Sequence, residues 1–248
     1  MKMTRLVTPV VVLAIATAVL SGCATSHQCA PQCAANCQTA QDSAVAPPTK
    51  ALQEAMTPAQ ALERLKAGNV RFVSGKSLKR DLAAERASTA SGQFPFAVVL
   101  SCLDSRTSSE LVFDQGIGDI FNARVAGNVL NDDILGSMEF ACKAAGAKLI
   151  AVVGHSKCGA VKGVCTGVQL GNLTGLLAKI KPAADAVTTT GDKSDYTHVD
   201  AVARENVKLV LAQIKERSPI VGELIRDGKV ALVGGIHDLD SGKVTFLE

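Results

Sequence analysis

The stretch "FPFAVVLSCLDSR" (residues 94–106) joins a continuous apolar run to a cysteine, an acid and a base at alternate positions. An apolar run without polar breaks is typical of a strand that is buried on both faces of a parallel sheet. We therefore predict a central strand over residues 94–101. Ligands of such sheets bind just beyond the carboxyl ends of the strands. Cys102 directly follows the predicted strand and is thus a candidate site residue.

The remainder of the domain alternates between predicted strands and helices. Further strands are predicted over residues 118–127 and 149–156, and a strand, a turn and a closing strand over residues 230–247. Thr57 followed by Pro58 predicts the start of one helix or of two short ones. Helices are also predicted over residues 108–114, 131–148, 170–182, 199–217 and 219–229 and from Cys158 onward, with a partly helical loop over residues 77–92. The fold class is therefore α/β, with a mostly parallel central sheet flanked by helices on both faces.

The composition constrains both the core and the partners. The chain has 248 residues, of which 47% are hydrophobic and only 3% aromatic, so the core must be mainly aliphatic. The formal net charge of +3 comes from 26 basic and 23 acidic residues. This balance, without any basic run, argues against a nucleic-acid partner.

The first residues have the pattern of an export signal. Lys2 and Arg5 precede an apolar segment over residues 6–20. A segment of about 15 residues is short for a membrane span, which needs roughly 20, but suits a secretory signal. We therefore expect residues 1–22 to be a signal peptide and the mature protein to be exported.

The "LSGC" at the end of this segment (residues 20–23) resembles a bacterial lipobox. The resemblance implies cleavage before Cys23 and lipidation of its thiol. Ordinary cleavage that leaves Cys23 free is the alternative. Ala24 rather than an aspartate follows this cysteine, and by resemblance to lipoprotein sorting signals this favours the outer membrane over the inner. The expected location is the periplasmic side of a bacterial cell envelope, with membrane attachment only through the lipid.

Residues 23–50 are predicted to hold the lipid-attachment cysteine and a flexible tether to the domain over residues 51–248. The segment lacks hydrophobic periodicity and is rich in Ala, Gln, Ser, Thr and Pro. It contains a C-x3-C-x3-C pattern, with His27 just ahead, formed by Cys29, Cys33 and Cys37. Metal binding is one interpretation of these cysteines. Disulfide pairing in an oxidising compartment is the other, and the odd count leaves one thiol for a bridge between chains.

Three potential metal ligands follow two of the predicted strands. Cys102 comes after the first, His155 lies at the end of the strand over residues 149–156, and Cys158 lies at the next helix start. Because the carboxyl ends of parallel strands share one edge of a sheet, all three can point into one crevice. Two thiolates and one imidazole suit zinc, and three protein ligands leave a coordination position for water, as in catalytic sites. An H-x-x-C pair alone would be a weak signal, since cysteine is a common core residue.

The combination of motifs resembles the β-class carbonic anhydrases. "CLDSR" (residues 102–106) followed by "GHSKCG" (residues 154–159) matches their paired motifs, and residues 68–73, 123–128 and 237–244 also fall where that family has similar segments. The resemblance covers most of the domain. It implies one Zn²⁺ per subunit and reversible hydration of CO2 to bicarbonate and a proton by zinc-bound hydroxide.

The same resemblance implies a role for each motif residue. Cys102, His155 and Cys158 would hold the zinc, and Asp104 and Arg106 would form a catalytic dyad. Asp104 would accept a hydrogen bond from the nucleophile, while Arg106 would hold this carboxylate in place and keep it ionised. Residues at alternate positions of an extended chain project to the same side, which gives the alternate spacing of the motif a reason.

Some members of this family carry a second, inhibitory bicarbonate pocket. That pocket requires a tryptophan three residues before the first zinc cysteine. Val99 occupies this position here, and the chain contains no tryptophan. We therefore predict a permanently open site, with Asp104 off the metal.

The resemblance also implies a substrate pocket. Its walls would include Gln93, Phe121, Ala126, Phe140 and Gly159, of which Gln93 would donate a hydrogen bond to a substrate oxygen. Phe140 stands where a tyrosine is frequent, which removes a hydroxyl, and Ala126 is smaller than a frequent valine. Because a neighbouring subunit contributes part of these walls in the family, a homodimer or higher even oligomer is expected.

The remaining histidines and cysteines carry weaker signals. We predict that His198 and His237 are surface or loop residues, and that Cys142 and Cys165 pack in the core from helices. Two other functions stay open. One is a hydrolase that acts on a CO2-like molecule such as carbon disulfide. The other is a non-enzymatic zinc or redox lipoprotein, against which the predicted Asp–Arg dyad argues.

Overall fold

A five-stranded sheet runs through residues 48–247, the part of the chain that the computed structural model describes. The spatial order of its strands is β2-β1-β3-β4-β5, with β1 to β4 parallel and β5 antiparallel to β4. The strands are β1 Ala97–Ser101, β2 Ile120–Arg124, β3 Leu149–His155, β4 Ala231–His237 and β5 Val244–Phe246. The predicted α/β class and mostly parallel sheet are confirmed. The predicted signal peptide, Cys23 and the cysteines of the predicted tether, Cys29, Cys33 and Cys37, lie outside the described residues.

Helices connect the strands and cover both faces of the sheet. They are α1 Lys50–Ala55, α2 Pro58–Val73, α3 Leu82–Thr89, α4 Ser109–Val112, α5 Asp132–Glu139, α6 Gly159–Cys165, α7 Gly171–Ala178, α8 Lys181–Ala186, α9 Tyr196–Arg217 and α10 Pro219–Arg226. A capping box explains the predicted start of α2: the Thr57 hydroxyl accepts from the N–H of Gln60, whose side chain accepts from the N–H of Thr57. Within residues 48–247, no helix is both long and apolar enough to cross a bilayer.

The residues of β1 alternate between two apolar layers, and all five are buried. Val98 and Leu100 face a cluster shared with α5, α9 and α10. Ala97 and Val99 face a second cluster shared with α2 and α4. The continuous apolar run in the sequence is therefore the mark of a strand covered on both sides.

The first strand is shorter than predicted because a proline sets its start. Pro95 has no N–H to donate to a strand ladder. Pairing begins at Ala97, opposite Ile120 on one side and Leu149 on the other. The carboxyl end of the strand, which positions the site, lies where the sequence predicts it.

Three other predicted boundaries shift for local reasons. β2 ends at Arg124 rather than at residue 127, because Gly127 has a φ of +65°. The helix predicted over residues 131–148 consists of α5 and a π-helical turn, Phe140–Ala144, and stops before Gly146, whose φ is +82°. The helix predicted over residues 170–182 is divided into α7 and α8, with Pro182 in the first turn of α8.

The prediction that His198 and His237 lie at the surface or in loops is wrong. Their exposed fractions are 8% and 3%. His198 lies on the buried face of α9, and His237 is the last residue of β4, directly opposite His155 of β3. In both cases the element packs against partners that are distant in sequence, so no local pattern shows that the histidine is buried.

The two cysteines predicted to pack from helices differ in their burial. Cys142 is buried in the π-helical turn, and this burial raises the pKa of its thiol to about 12. Cys165, the last residue of α6, is only half-buried. The prediction is therefore confirmed for Cys142 and only partly correct for Cys165.

Candidate metal centre and catalytic dyad

The structure brings Cys102, His155 and Cys158 together at the carboxyl edge of the sheet. Cys102 follows β1, His155 ends β3 and Cys158 is the N-cap residue of α6. Because β1 and β3 are adjacent and parallel, their ends meet at the same place. The ligand atoms of the three residues all lie within 4.8 Å of one another, and all three residues are buried. Among the described residues, this is the only such cluster of histidine, cysteine and acidic side chains.

The chemistry of this cluster fits a zinc ion. The Nδ1 atom of His155 lies 2.9 Å from the carbonyl oxygen of Ser156, to which it donates. This hydrogen bond fixes the tautomer, so the lone pair of the ring is on Nε2. Within residues 48–247, Nε2 is buried and has no hydrogen-bond partner. A free imidazole nitrogen beside two thiols supplies three of the four donors that tetrahedral zinc requires.

The three side chains of the cluster shift one another's pKa values. The neighbouring Cys158 thiol holds the pKa of Cys102 well below its usual range, against the opposing effect of burial. The same contact, together with burial, raises the pKa of Cys158. Burial lowers the pKa of His155, but the neighbouring Cys102 outweighs it and raises that pKa overall. Because a metal binds thiolates and a neutral imidazole, metal binding displaces protons from these side chains.

Asp104 and Arg106 form a bidentate pair beside the cluster. Arg106 Nε lies 2.9 Å from Asp104 Oδ1, and Arg106 Nη2 lies 2.8 Å from Oδ2. The backbone N–H of Arg106 donates to Oδ1 as well, at 3.0 Å. These hydrogen bonds hold the pKa of Asp104 well below its usual range, and Asp104 in turn raises the pKa of Arg106. Both carboxylate oxygens are therefore engaged by Arg106, which supports the prediction that Asp104 stays off the metal.

Arg124 is a site residue that the sequence argument missed. From the last position of β2 its Nε donates to the Cys102 carbonyl oxygen at 3.0 Å, and its Nη2 donates to the Asp104 carbonyl oxygen at 2.5 Å. The Thr107 hydroxyl donates to the same two oxygens, at 3.1 and 3.0 Å. The backbone of the motif is thus clamped at both functional residues. The sequence did contain a signal for this role. Arg124 lies at the carboxyl end of the strand next to β1, so its side chain can only reach the edge of the sheet where the motif lies.

Gly127 supports the first cysteine directly. Its backbone N–H donates to the Sγ atom of Cys102 at 3.3 Å. A Cβ atom at this position would lie 2.4 Å from Cδ1 of Ile180, and the φ of +65° also favours glycine. The requirement for glycine here follows from its positive φ and from the close packing of Ile180 against this backbone.

Four of the predicted pocket residues lie on segments next to the metal ligands or at the β2 edge. Ala126 precedes Gly127 and is half-buried, and Gly159 directly follows Cys158 at the start of α6. Phe121 of β2 packs edge-to-face on Phe140, with 6.2 Å between the ring centroids. The Phe140 side chain is 56% exposed.

Gln93 does not join this group within one chain. It is exposed and lies before β1, at the amino end of the sheet, whereas Cys102 follows the carboxyl end of that strand. A five-residue strand separates the two by roughly 17 Å. The predicted role of Gln93 therefore requires a second subunit.

His237 is a second feature that the sequence argument missed. It lies opposite His155 in the β3–β4 pair, and its carbonyl oxygen accepts from the Ser156 N–H at 2.9 Å. Burial, and secondarily the charge of His155, lower the pKa of its imidazole. The neutral imidazole of His237 thus belongs to the strand residue opposite the metal ligand His155.

Comparison with known proteins agrees with this geometry. Residues 97–244 match the carbonic anhydrase family model. Carbonic anhydrase 2 of Mycobacterium tuberculosis is 36% identical over 192 residues, which cover 76% of this chain and 92% of that protein. A carbonic anhydrase of Mycolicibacterium smegmatis is 37% identical over 189 residues, 75% of this chain and 92% of that protein.

Solved structures share the fold. The crystal structure of the β-carbonic anhydrase CafA of Aspergillus fumigatus superposes with a TM-score of 0.60 at 24% identity, covering 77% of this chain and 90% of that one. A tetrameric β-carbonic anhydrase of Sordaria macrospora gives a TM-score of 0.58 at 22% identity, covering 66% and 90%. Together with the sequence matches and the Cys–His–Cys cluster, these likenesses place the chain in the family of β-class carbonic anhydrases, zinc enzymes that interconvert CO2 and bicarbonate.

Proposed function

We propose that Cys102, His155 and Cys158 hold the catalytic zinc of this carbonic anhydrase, and that Asp104 and Arg106 direct its reaction with CO2. The observation that carries this proposal is a three-donor cluster with a free imidazole nitrogen directly beside a fully engaged carboxylate–guanidinium pair. Three protein donors leave one coordination position for water. When bound, zinc lowers the pKa of that water, so a nucleophile is available near neutral pH.

In this proposal Asp104 orients the nucleophile. Because its pKa is lowered by Arg106, its carboxylate remains an acceptor and carries no proton near neutral pH. An acceptor beside the nucleophile takes the hydrogen bond of the remaining proton and leaves an oxygen lone pair directed at CO2.

Arg106 acts on the position of Asp104. Its two side-chain hydrogen bonds fix the plane of the carboxylate, and its own side chain is 58% exposed against 18% for Asp104. Without this fork, the Asp104 carboxylate is free to rotate toward the open coordination position and compete with water. The pair therefore keeps the position open as well as keeping the acid ionised.

We further propose that the active unit contains at least two subunits. Large apolar side chains are exposed around the outer edge of β2 and the motif loop: Leu103 is 60%, Leu111 68% and Phe140 56% exposed. A second copy that covers this surface removes the apolar groups from water and brings its own residues, Gln93 among them, toward the pocket. The Sordaria macrospora relatives are tetrameric.

We also propose that the enzyme works in the bacterial cell envelope, anchored through a lipid on Cys23 and facing the periplasm. The support is the order of a positive start, an apolar segment and the "LSGC" of residues 20–23 in the sequence. Mass spectrometry of the mature amino terminus tests this part. A diacylglyceryl mass on Cys23 supports it, and an unmodified Cys23 refutes it.

Stopped-flow measurement of CO2 hydration tests the catalytic proposal, with zinc content and free thiols determined on the same sample. We expect one zinc per subunit, reduced Cys102 and Cys158, and hydration above the buffer background. Turnover of carbon disulfide without CO2 hydration would instead identify a related hydrolase. A Cys102–Cys158 disulfide without zinc would identify a redox protein, and both results contradict the proposal.

A further inference from the structure

Helix α9 has a buried polar residue in the middle of its apolar face. Its buried positions include Val202, Val207, Val210 and Ile214, and Asn206, which is only 1% exposed, lies among them. An amide that is buried without a hydrogen bond destabilises the fold. The position therefore needs a compensating contact.

That contact leads to the metal site. Asn206 Nδ2 donates to the carbonyl oxygen of Gly127 at 2.8 Å, in the buried interior. The N–H of the same glycine donates to the Sγ atom of Cys102. Gly127 and the following residue, Asn128, both have positive φ angles, +65° and +42°. Asn206 thus holds a turn formed by two residues with positive φ angles. One N–H of this turn, that of Gly127, is directed at the metal ligand Cys102.

A second residue of α9 holds the segment that carries the other two ligands. Asp200 Oδ1 accepts from the backbone N–H of Lys157 at 2.6 Å. Lys157 stands between His155 and Cys158 and has a φ of +55°, although it is not a glycine. A left-handed residue of this kind is strained, so the turn persists only where its surroundings stabilise it. The carboxylate of Asp200 provides such a contact.

We propose that α9 is a brace for the zinc site, with Asn206 and Asp200 as its positioning residues. Asn206 acts through Gly127 on Cys102, and Asp200 acts through Lys157 on His155 and Cys158. The inference rests on the proposed zinc site and adds to it the elements that set its geometry. Because the two residues are less than two turns apart on one rigid helix, the separation of the two ligand-bearing segments is fixed by the helix itself.

The brace has two expected physical effects. An N–H directed at a thiolate stabilises its negative charge and restricts the direction of its lone pairs. A fixed distance between the two segments keeps the three donors near tetrahedral positions before the metal arrives. Loss of such outer contacts in metal sites typically lowers metal affinity by about 10- to 100-fold.

The test compares matched variants of the full-length protein. Asn206→Leu removes the amide and keeps the branching and the number of side-chain heavy atoms, and Asp200→Ala and Asp200→Asn remove or weaken the acceptor. Asn69→Leu is the control, because Asn69 is a buried asparagine of α2 whose three hydrogen bonds reach Val112, Gly242 and Val244 rather than the ligand segments. The readouts are zinc affinity, measured by competition with a chelator, and the thiolate charge-transfer and d–d absorption of the cobalt(II)-substituted protein.

We expect Asn206→Leu and Asp200→Ala to weaken zinc binding by about 10- to 100-fold and to shift the cobalt spectrum, with Asp200→Asn closer to wild type. Asn69→Leu should lower the melting temperature and leave affinity and spectrum unchanged. Wild-type affinity and spectrum in both Asn206→Leu and Asp200→Ala would overturn the brace. If Asn206→Leu does not fold, the Asp200 pair decides the matter alone. These readouts do not require turnover, so a zinc-binding protein that fails to hydrate CO2 contradicts the proposed function and not the brace.

Discussion

The two ends of the central sheet both bury charged and polar groups, but in the part of the chain that the structure describes only at the carboxyl end do histidine and cysteine donor atoms converge on one another. At the amino end, Asp119 precedes β2, is 2% exposed, and lies 2.5 Å from Arg64 Nη2. Arg80 pairs with Glu85 at 3.1 Å in the same region. At the carboxyl end, by contrast, the Nε2 atom of His155 has no partner among the described residues.

This difference distinguishes polar groups that are buried in stabilising ion pairs from polar groups that are buried to form a functional site. The acids of the amino end each have a cationic partner, as buried charges in a stable fold must. The donors of the carboxyl end instead converge, with their ligand atoms within 4.8 Å of one another. A choice of active site by cavity size would instead point to the amino end of the sheet. A groove of about 720 Å³, lined by Arg80, Ile117 and Ile120, lies there beside the ion pairs. An unsatisfied set of convergent donors is therefore the better sign of the active site here.

The largest expected effect comes from removing a zinc ligand. Cys158→Ser replaces a soft thiolate by a poor ligand, so zinc content should fall and CO2 hydration should drop to the uncatalysed background. Metal analysis and stopped-flow kinetics on one sample measure both. Cys165→Ser, seven residues further along at the end of α6, is the control and should keep zinc and activity. Full activity in Cys158→Ser would remove the central assignment.

Substitution of the Asp104–Arg106 dyad should lower CO2 hydration strongly while zinc stays bound. Arg106→Ala frees the Asp104 carboxylate, so kcat should fall by roughly 10²- to 10⁴-fold while zinc stays bound. Arg217→Ala is the control, because Arg217 also forms an ion pair, with Asp132 at 2.6 Å, and neither residue belongs to the motif. Loss of zinc in Arg106→Ala, or unchanged hydration, would show that the pair does not have the proposed role.

At the amino end the same kind of substitution should affect stability instead. Asp119→Ala leaves Arg64, and part of the Arg80 guanidinium, without a buried anion, so the free energy of unfolding should fall by about 3–5 kcal/mol. Urea denaturation measures this change. The kcat of the folded, zinc-loaded fraction should stay within about twofold. A tenfold loss of kcat with zinc bound would erase the contrast between the two ends.

The smallest effect is a change of rate with pH. Arg106 lowers the pKa of Asp104 below that of an unfolded chain, so the stabilisation from this pair is present above the usual carboxyl range and is lost only as the pH falls through the lowered value. Asp104 therefore stays ionised from about pH 6 to 9, and its titration contributes nothing there. Two thiolate ligands acidify a bound water less than neutral ligands do, so hydration should rise several-fold toward the alkaline side. A rate independent of pH over this range would contradict this expectation.

The residues that the sequence predicted best are those whose position depends on one strand. The apolar run before Cys102 identifies a buried strand, and parallel strands place their carboxyl ends together. The alternation of Cys102, Asp104 and Arg106 is local, and the structure forms the Asp104–Arg106 pair within that short segment. The direction of the sheet places Cys102 correctly. The extended spacing predicted for residues 102–106 is wrong, because the strand ends at Ser101 and Asp104 meets Arg106 through a turn in which the Thr107 N–H donates to the Asp104 carbonyl oxygen at 3.0 Å.

The features that the sequence did not predict depend on tertiary packing. The contacts of Arg124, Asp200 and Asn206 with the site span 22, 43 and 79 residues of sequence. No local pattern shows which helix turn will face which loop. The burial of His198 and His237 was missed for the same reason, since each lies in an element whose packing partner is distant in sequence.

Removal and return of zinc, followed by CO2 hydration on the same sample, tests the central claim most directly. Purified protein carrying one zinc per subunit should hydrate CO2, lose this activity when a chelator removes the metal, and regain it when zinc is restored in equal amount. Hydration that persists in the fully metal-free protein, or a zinc-loaded protein that does not exceed the buffer background, would contradict the account.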